Sequence, residues 1–191
     1  MSAAGRAAEL VRAAPPRLGG VRLVAVDGPS GSGKTVFARR LVAELTGLAV
    51  ALVPTDDFAT WDDPVDWWPR LATGVLDPLR RGEPGGYRRI EWPDGRPRPG
   101  ARVAVPVPDV LVVEGMSAAR REVAPDLSLA IWVELPDPAL RLERAVARDG
   151  EQTRAELRRW QHFERRWFTT DDTRARADLV VDAPHLTDRS E

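Results

Sequence analysis

The chain contains no cysteine and only one tyrosine, and its 28 lysine and arginine residues include a single lysine. The absence of cysteine excludes disulfide bonds, thiol catalysis and zinc sites with thiolate ligands. No apolar run approaches the roughly 20 residues that a membrane-spanning helix requires. Residues 1–16 also lack the apolar segment of a secretory signal, so we expect a cytoplasmic protein with no membrane partner. The net charge of −1 provides no basic field for a nucleic-acid partner.

Apolar runs alternate with helical patterns along the 191 residues. Runs rich in β-branched residues predict strands at 21–26, 48–53, 110–113, 129–133 and 179–181. Helical spacing occurs near 35–45, 64–71, 118–123, 138–147 and 154–168, and Asp63-Pro64 and Asp137-Pro138 are compatible with helix starts. This alternation predicts one α/β domain over 1–191, with a mostly parallel sheet covered by helices on both faces.

Residues 77–108 interrupt this pattern with a concentration of proline and glycine. We expect an excursion from the sheet that contains no long helix and is partly extended, at 87–92 and 102–107. Insertions at this place in an α/β fold usually shape a ligand pocket, here on the acceptor side. A surface loop without such a role is the alternative.

The single lysine, Lys34, lies in the sequence Gly28-Pro29-Ser30-Gly31-Ser32-Gly33-Lys34-Thr35. This octapeptide matches the phosphate-binding loop G-x-x-x-x-G-K-[ST] and lies between a predicted strand and a predicted helix. Its glycines allow positive φ angles, so that backbone N–H groups and the helix N-terminus can face a phosphate chain. The lysine supplies a compact charge for the β- and γ-phosphates, and the hydroxyl of Thr35 is expected on Mg²⁺. The loop therefore predicts a nucleoside triphosphate site.

Carboxylates follow two of the predicted strands, at the sheet edge where the phosphate loop is expected. Glu114 ends one apolar run and precedes Gly115, which predicts a carboxylate that holds Mg²⁺ directly or through water. A strand-end cap is the alternative. Asp56, in the pair Asp56-Asp57, can accept the proton of a substrate hydroxyl as it attacks the γ-phosphate. Adjacent aspartates in a turn are also common as a solvated cap.

Arginines are spaced i, i+3 and i+7 at Arg141, Arg144 and Arg148, so they share one face of the predicted helix. Guanidinium groups can neutralise the charge that the transferring phosphoryl group carries on its equatorial oxygens. A solvated basic face is the alternative interpretation.

Four motifs occur in the order found in uridine kinases and their relatives, which include phosphoribulokinase and the bacterial pantothenate kinases. They are the loop 28–35, Asp56-Asp57-Phe58, Glu114-Gly115, and Arg141-Leu142-Glu143-Arg144 with Arg148-Asp149. The chain resembles this family over residues 21–182, and most closely its uridine kinase-like members. The resemblance implies a P-loop three-layer sandwich with a five-stranded sheet, helices on both faces and a lid at about 148–154.

The resemblance also implies roles for individual residues. Catalysis is assigned to Lys34, Asp56 and Arg148, and the metal to Thr35 and Glu114. Nucleotide binding is assigned to Gly28, Ser30, Gly31, Ser32, Gly33, Lys34, Thr35, Val36 and Arg144. Acceptor binding is assigned to Asp56, Asp62, Tyr87 and Arg141, and Trp61 is a further acceptor-binding candidate because its ring could stack on a planar base or sugar. The chain departs from uridine kinases at Asp57, where many members have serine, at Asp63, which replaces a histidine, and at Trp92, near the offset of a second histidine.

These features predict a kinase that uses ATP and Mg²⁺ to phosphorylate a hydroxyl group of a small molecule, with a nucleoside as the leading candidate. Alternatives are a nucleoside monophosphate, for which Arg88 and Arg89 could supply positive charge, or another small alcohol. A nucleotide-binding regulatory ATPase is an alternative from a different class. The tryptophans at 61, 67, 68 and 92 can either stack on the acceptor or pack the excursion onto the sheet.

Overall fold

The structure is a computed structural model that describes residues 2–93 and 96–182. Its strands are β1 Arg22–Asp27, β2 Val50–Pro54, β3 Gly85–Glu91, β4 Arg98–Val105, β5 Val110–Glu114, β6 Leu127–Glu134 and β7 Leu179–Asp182. Five of them form a parallel sheet in the order β2-β5-β1-β6-β7, whereas β3 and β4 pair with each other as an antiparallel hairpin. The α/β prediction with a five-stranded parallel sheet is confirmed.

The α-helices are α1 Ala3–Ala13, α2 Lys34–Glu44, α3 Trp68–Leu71, α4 Asp77–Arg80, α5 Pro138–Asp149 and α6 Arg154–Asp171. A π-helical turn, Ala72–Leu76, joins α3 to α4, and short 3₁₀ turns occupy Thr55–Asp57, Arg121–Asp126, Glu151–Thr153 and Arg174–Arg176. Among the described residues, no helix is both long and apolar enough to cross a membrane.

The central strand β1 contributes to two separate cores because its side chains alternate between the faces of the sheet. Val24 and Val26 pack on one face with residues of α1 and α2 such as Val11 and Phe37. Leu23 and other residues of the opposite face pack with the segment that contains α3 and α4. Helices therefore cover both faces, as a parallel sheet requires.

Two helix predictions differ from the structure. Asp63-Pro64 does not start a helix, since α3 begins at Trp68 and the helical segment continues through the π-turn to Arg80. The helix predicted at 118–123 is wrong, because residues 115–119 form turns and only a 3₁₀ segment, Arg121–Asp126, follows. Asp137 does cap α5, where its side chain accepts the backbone N–H groups of residues 139 and 140.

The segment 77–108 begins with helix α4 and then forms the β3–β4 hairpin, so its extended parts lie at 85–91 and 98–105. The segment 148–154 contains the end of α5, Gly150, the 3₁₀ turn Glu151–Thr153 and the start of α6. The domain predicted over 1–191 also includes residues 1, 94–95 and 183–191, which lie outside the described residues.

Candidate active site

The phosphate loop connects β1 to α2 at the carboxyl edge of the sheet. Gly28, Gly31 and Gly33 all have positive φ angles, of 144°, 75° and 98°, and Gly33 is the N-cap of α2. At Gly31 a Cβ atom would overlap the backbone carbonyl of Arg141, so α5 and the loop approach too closely for any side chain. The first-turn N–H groups of α2 have no intrahelical acceptors, which makes this helix start suitable for an anion.

Lys34 is the first residue of α2, and its side chain is nearly buried, with 9% exposure. The ammonium Nζ donates to the backbone carbonyl of Pro29 at 3.0 Å, so the side chain spans the loop from its helical end to its beginning. The charge is thereby placed within the loop rather than in solvent. Ser30, Ser32 and Val36, which we expected at the nucleotide, lie on this same loop and on the first turn of α2.

Thr35 and Glu114 meet between α2 and the end of β5. The Thr35 hydroxyl donates to Glu114 Oε1 at 3.2 Å, and Glu114 is 5% exposed. Burial raises the pKa of the Glu114 carboxyl to about 7, an effect that the charges of Lys34 and Arg148 oppose. A cation would offset the burial of this carboxylate. The described residues contain no group of three or more metal-ligating side chains. One hydroxyl and one carboxylate fit Mg²⁺ that is shared with substrate phosphates.

Asp27, the last residue of β1, joins two loops of the site and was not predicted from the sequence. Its fully buried carboxylate accepts the N–H of Gly28 at 2.7 Å and of Ser117 at 3.2 Å on Oδ1, and the N–H of Ala119 at 2.9 Å on Oδ2. Burial raises its pKa to about 6, although the three N–H groups and the charge of Lys34 lower it. The phosphate loop and the turn after Glu114 are therefore held together by one side chain.

Gly115 allows this turn to lie against the second loop of the site. Its φ angle is 135°, and a Cβ atom there would overlap the side-chain oxygen of Thr55. Thr55 begins the 3₁₀ turn Thr55–Asp57, which carries Asp56. The glycine after Glu114 thus permits Glu114 and Asp56 to share one edge of the sheet.

Asp56 and Arg148 lie on the open side of this edge, and both are exposed. The negative charge of Asp56 contributes to the raised pKa values of Glu114 and Arg148, which places all three side chains in one electrostatic neighbourhood. The largest contribution for Arg148 is its ion pair with Asp149, in which Nε and Oδ1 are 2.6 Å apart. The structure therefore brings together residues of three distant predicted motifs.

Tyr87 lies on the β3–β4 hairpin, and its hydroxyl is already engaged by a protein group. The ring is 7% exposed and lies 4.6 Å from the ring of Phe58, centroid to centroid. The hydroxyl donates to Asp57 Oδ2 at 2.5 Å. Burial raises the pKa of both side chains; their hydrogen bond raises that of Tyr87 and lowers that of Asp57. Asp57, which the sequence analysis named only as a departure from the family, therefore accepts the hydroxyl hydrogen of the single tyrosine of the chain.

The tryptophans differ in their surroundings. Trp67 and Trp68 are buried, at 1% and 4% exposure, and pack the helical segment onto the sheet. Trp61 is half-buried, and its ring makes edge contacts with the rings of Trp92 and Trp160, each at 5.8 Å between centroids. The ring of Trp61 thus lies between the hairpin and α6 and contacts both. The next residue, Asp62, is exposed.

The arginines of α5 occupy different places along the site. Arg141, which the resemblance assigned to the acceptor, is half-buried beside the phosphate loop, and its backbone carbonyl lies against Gly31. Burial lowers the pKa of its guanidinium, while the charge of Glu164 opposes this effect. Arg144 is half-buried one helical turn further along. The helix therefore extends from the loop, at Arg141, to the open edge, at Arg148.

Comparisons with known proteins identify relatives by sequence. The chain is 30% identical over 154 residues to a protein named uridine kinase from Halobacterium salinarum, and the match covers 70% of the chain and 65% of that protein. It is 27% identical over 145 residues to a protein named uridine kinase from Macrococcus caseolyticus, covering 68% of the chain and 69% of that protein. The chain thus spans slightly less than two thirds of the Halobacterium protein. No family model matches the sequence.

A solved structure has a similar fold over nearly the whole chain. It is a Silicibacter protein described as a candidate fructose transport system kinase, with a TM-score of 0.70 and 22% sequence identity. The similarity covers 94% of the chain and 99% of that structure. At this identity the likeness concerns the fold.

Proposed function

We propose that the chain is a uridine kinase-like P-loop kinase, as its two named relatives suggest, and that it transfers the γ-phosphate of ATP to a hydroxyl group of a small molecule. The observation that carries this proposal is the contact between Thr35 and Glu114 at 3.2 Å, directly beside the loop that holds Lys34. It joins a phosphate-binding element to a carboxylate suited to Mg²⁺, and exposed Asp56 lies in the same electrostatic neighbourhood.

In the proposed reaction, Lys34 and the loop amides bind the phosphates, while Thr35 and Glu114 hold Mg²⁺. The bound ion would supply neutralisation of charge on the phosphate oxygens. Asp56 orients the acceptor hydroxyl and accepts its proton as the oxygen attacks the γ-phosphorus. Arg148 and Arg144 neutralise charge on the transferring group, and the turn at 150–153 acts as a short lid that excludes water.

A nucleoside is the acceptor that the named relatives favour, since both carry the name uridine kinase. The acceptor would lie between the Asp56 turn and the β3–β4 hairpin, close to Trp61, Asp62 and Tyr87. We expect no metal ligands beyond Thr35 and Glu114, because the nucleotide phosphates complete the coordination of Mg²⁺.

A small alcohol other than a pyrimidine nucleoside is a second candidate, and the Tyr87 hydroxyl favours it. That hydroxyl donates to Asp57 at 2.5 Å, so it could donate to a base only by breaking a hydrogen bond to a half-buried carboxylate. An acceptor that presents its own hydroxyl or amino donors to Asp57 would need no such exchange.

A coupled assay of ADP release tests the proposal against nucleosides, nucleoside monophosphates and small alcohols. Lys34→Ala is expected to abolish transfer. Asp56→Asn is expected to lower kcat by about 10²–10⁴-fold while ATP binding persists, because only the proton acceptor is lost. Asp66→Asn, at an exposed position outside the candidate site, is the matched control and should retain activity.

Three outcomes would overturn parts of this proposal. Full turnover by Asp56→Asn would refute the role of Asp56. ATP hydrolysis that no acceptor stimulates would favour the regulatory ATPase. Product from a monophosphate, with none from any nucleoside, would reverse the order of the acceptors and would direct attention to Arg88 and Arg89.

A further inference from the structure

Helix α6 contributes a buried carboxylate, Glu164, to the back of the phosphate loop. The side chain is 1% exposed, and Oε2 accepts the backbone N–H of Ser30 at 2.8 Å. The two residues are 134 positions apart in the chain. The helix that carries Glu164 begins directly after the turn at 150–153, so a single element connects the proposed lid to the phosphate loop.

A carboxylate is an unexpected group at this position, because the loop is built for anions. Burial raises the pKa of Glu164 to about 7, the Ser30 N–H and the charges of Lys34 and Arg141 lower it, and Asp27 raises it. The second oxygen, Oε1, is buried and accepts no hydrogen bond from the described residues. An apolar side chain would fill the space without the cost of a buried carboxylate, so packing alone does not account for Glu164.

The hydrogen bond with Ser30 explains why a carboxylate is present at position 164. In the loop, the Ser32 N–H donates to the carbonyl of Pro29 at 3.2 Å, and the Ser30 N–H donates to Glu164. Both N–H groups are therefore directed at protein acceptors. Together these two contacts restrain the loop between Pro29 and the first turn of α2. The other N–H groups of this segment are the ones that a phosphate chain can reach.

We propose that Glu164 is a positioning residue for ATP: by accepting the Ser30 N–H, it holds the phosphate loop in its binding conformation and links the loop to helix α6. This role rests on the proposed function, since it assumes that the loop binds ATP. It requires a hydrogen-bond acceptor at position 164 and does not require a negative charge there. Removal of the acceptor therefore weakens ATP binding, whereas neutralisation of the carboxylate does not.

Two substitutions separate the acceptor from the charge. Glu164→Gln keeps an acceptor oxygen and removes the charge, whereas Glu164→Leu removes both. Glu156→Gln and Glu156→Leu are the matched controls, because Glu156 lies on the same helix and pairs only with Arg159 among the contacts described here, at 3.0 Å. Calorimetric titration with a non-hydrolysable ATP analogue and Mg²⁺, without acceptor, measures the Kd of each protein.

We expect Glu164→Leu to raise the Kd about tenfold or more, since a buried N–H loses its acceptor. Glu164→Gln should stay within about threefold of the wild type, as should both Glu156 variants. In the kinase assay, the KM for ATP should rise in Glu164→Leu, with the KM for the acceptor unchanged. A residue that only stabilised the fold would lower the unfolding midpoint without this separation of the two KM values.

A wild-type Kd in Glu164→Leu would overturn the proposal, and so would an equal loss of binding in Glu164→Gln and Glu164→Leu. If the leucine variant does not fold, Glu164→Asp replaces it: the shorter side chain withdraws the acceptor from Ser30, so a raised Kd is expected and a wild-type Kd would refute the role. Failure of the wild-type protein to bind the analogue would instead refute the proposed function, and the role of Glu164 with it.

Discussion

The substitution Asp27→Asn tests whether the buried carboxylate of Asp27 is present for function at the expense of stability. Asparagine has nearly the same shape, and its one oxygen can still accept the N–H groups of Gly28 and Ser117. Its NH₂ group, however, faces the Ala119 N–H, which Asp27 Oδ2 accepts at 2.9 Å. Two donors then face each other, at a cost of about 1–3 kcal/mol.

The change in stability should depend on pH, because only aspartate titrates. The pKa of Asp27 rises from 3.8 to about 6 on folding, so the native state binds more protons than the unfolded state between these values. The wild-type free energy of unfolding therefore falls by about 3 kcal/mol as pH rises through this window, and it levels off above the window. Asparagine does not titrate, so the variant lacks this fall in the free energy of unfolding. The free energy of unfolding of Asp27→Asn, relative to the wild type, should thus rise by about 1.4 kcal/mol from pH 5 to pH 8.

Urea unfolding followed by tryptophan fluorescence at pH 5 and pH 8 measures this difference. The contribution of Glu114 is present in both proteins and cancels, whereas loss of the Asp27 charge lowers the pKa of Glu164 and adds to the expected rise in the same direction. Turnover should fall in the same variant by about tenfold or more, because the turn after Glu114 loses its anchor at Ala119. A stability difference that stays constant or moves the other way between the two pH values would refute the burial argument. Unchanged turnover would refute the role of Asp27 in holding the turn after Glu114 against the phosphate loop.

Three further changes test neighbouring contacts. Tyr87→Phe removes the donor to Asp57 and should lower the free energy of unfolding by about 1–2 kcal/mol and alter the KM for the acceptor, with the KM for ATP unchanged in initial-rate assays. Gly115→Ala places a Cβ against the Thr55 side chain at a φ of 135° and should cost more than about 2 kcal/mol in urea unfolding. Gly20→Ala, where a Cβ meets nothing within 4 Å, is its control. Acylation should label one ε-amine, that of Lys34, and Mg-ATP should protect it; unprotected labelling, read by mass spectrometry, would contradict its placement at the phosphates.

The sheet could be predicted because each strand carries its own local signal. The run that ends at Asp27 is buried on both faces, so its side chains are apolar without alternation, which is typical of a parallel strand. The phosphate loop could also be predicted from the sequence, because a single local structure fixes the spacing of its glycines and Lys34. Helix α5 was found from the Asp137 cap and the proline after it.

The errors occur where tertiary contacts replace local preferences. The helix predicted at 118–123 does not form because the backbone leaves the helical region at Ser117, with a φ angle of 69°, and at Arg120, with a ψ angle of 152°. Asp27, some 90 residues earlier in the chain, accepts the N–H groups of Ser117 and Ala119 in this turn. No local sequence pattern predicts that Asp27 is the acceptor of these N–H groups. The only local signal for Asp27 was a carboxylate at the end of an apolar strand, directly before the first glycine of the loop.

Glu164 had only an incomplete signal in the sequence, and the reason is physical. It lies seven residues after Leu157, four after Trp160 and three before Trp167, so helical spacing places it on the apolar face of α6 but does not say what its carboxylate contacts. The carboxylate meets the Ser30 N–H because α6 returns to the back of the loop formed by residues 28–35. Local spacing can therefore identify the groups that touch a nucleotide, since the ligand imposes their geometry. The groups that hold those residues in place depend on which distant element packs beside them, so the partner of a residue such as Glu164 can be recognised only from that packing.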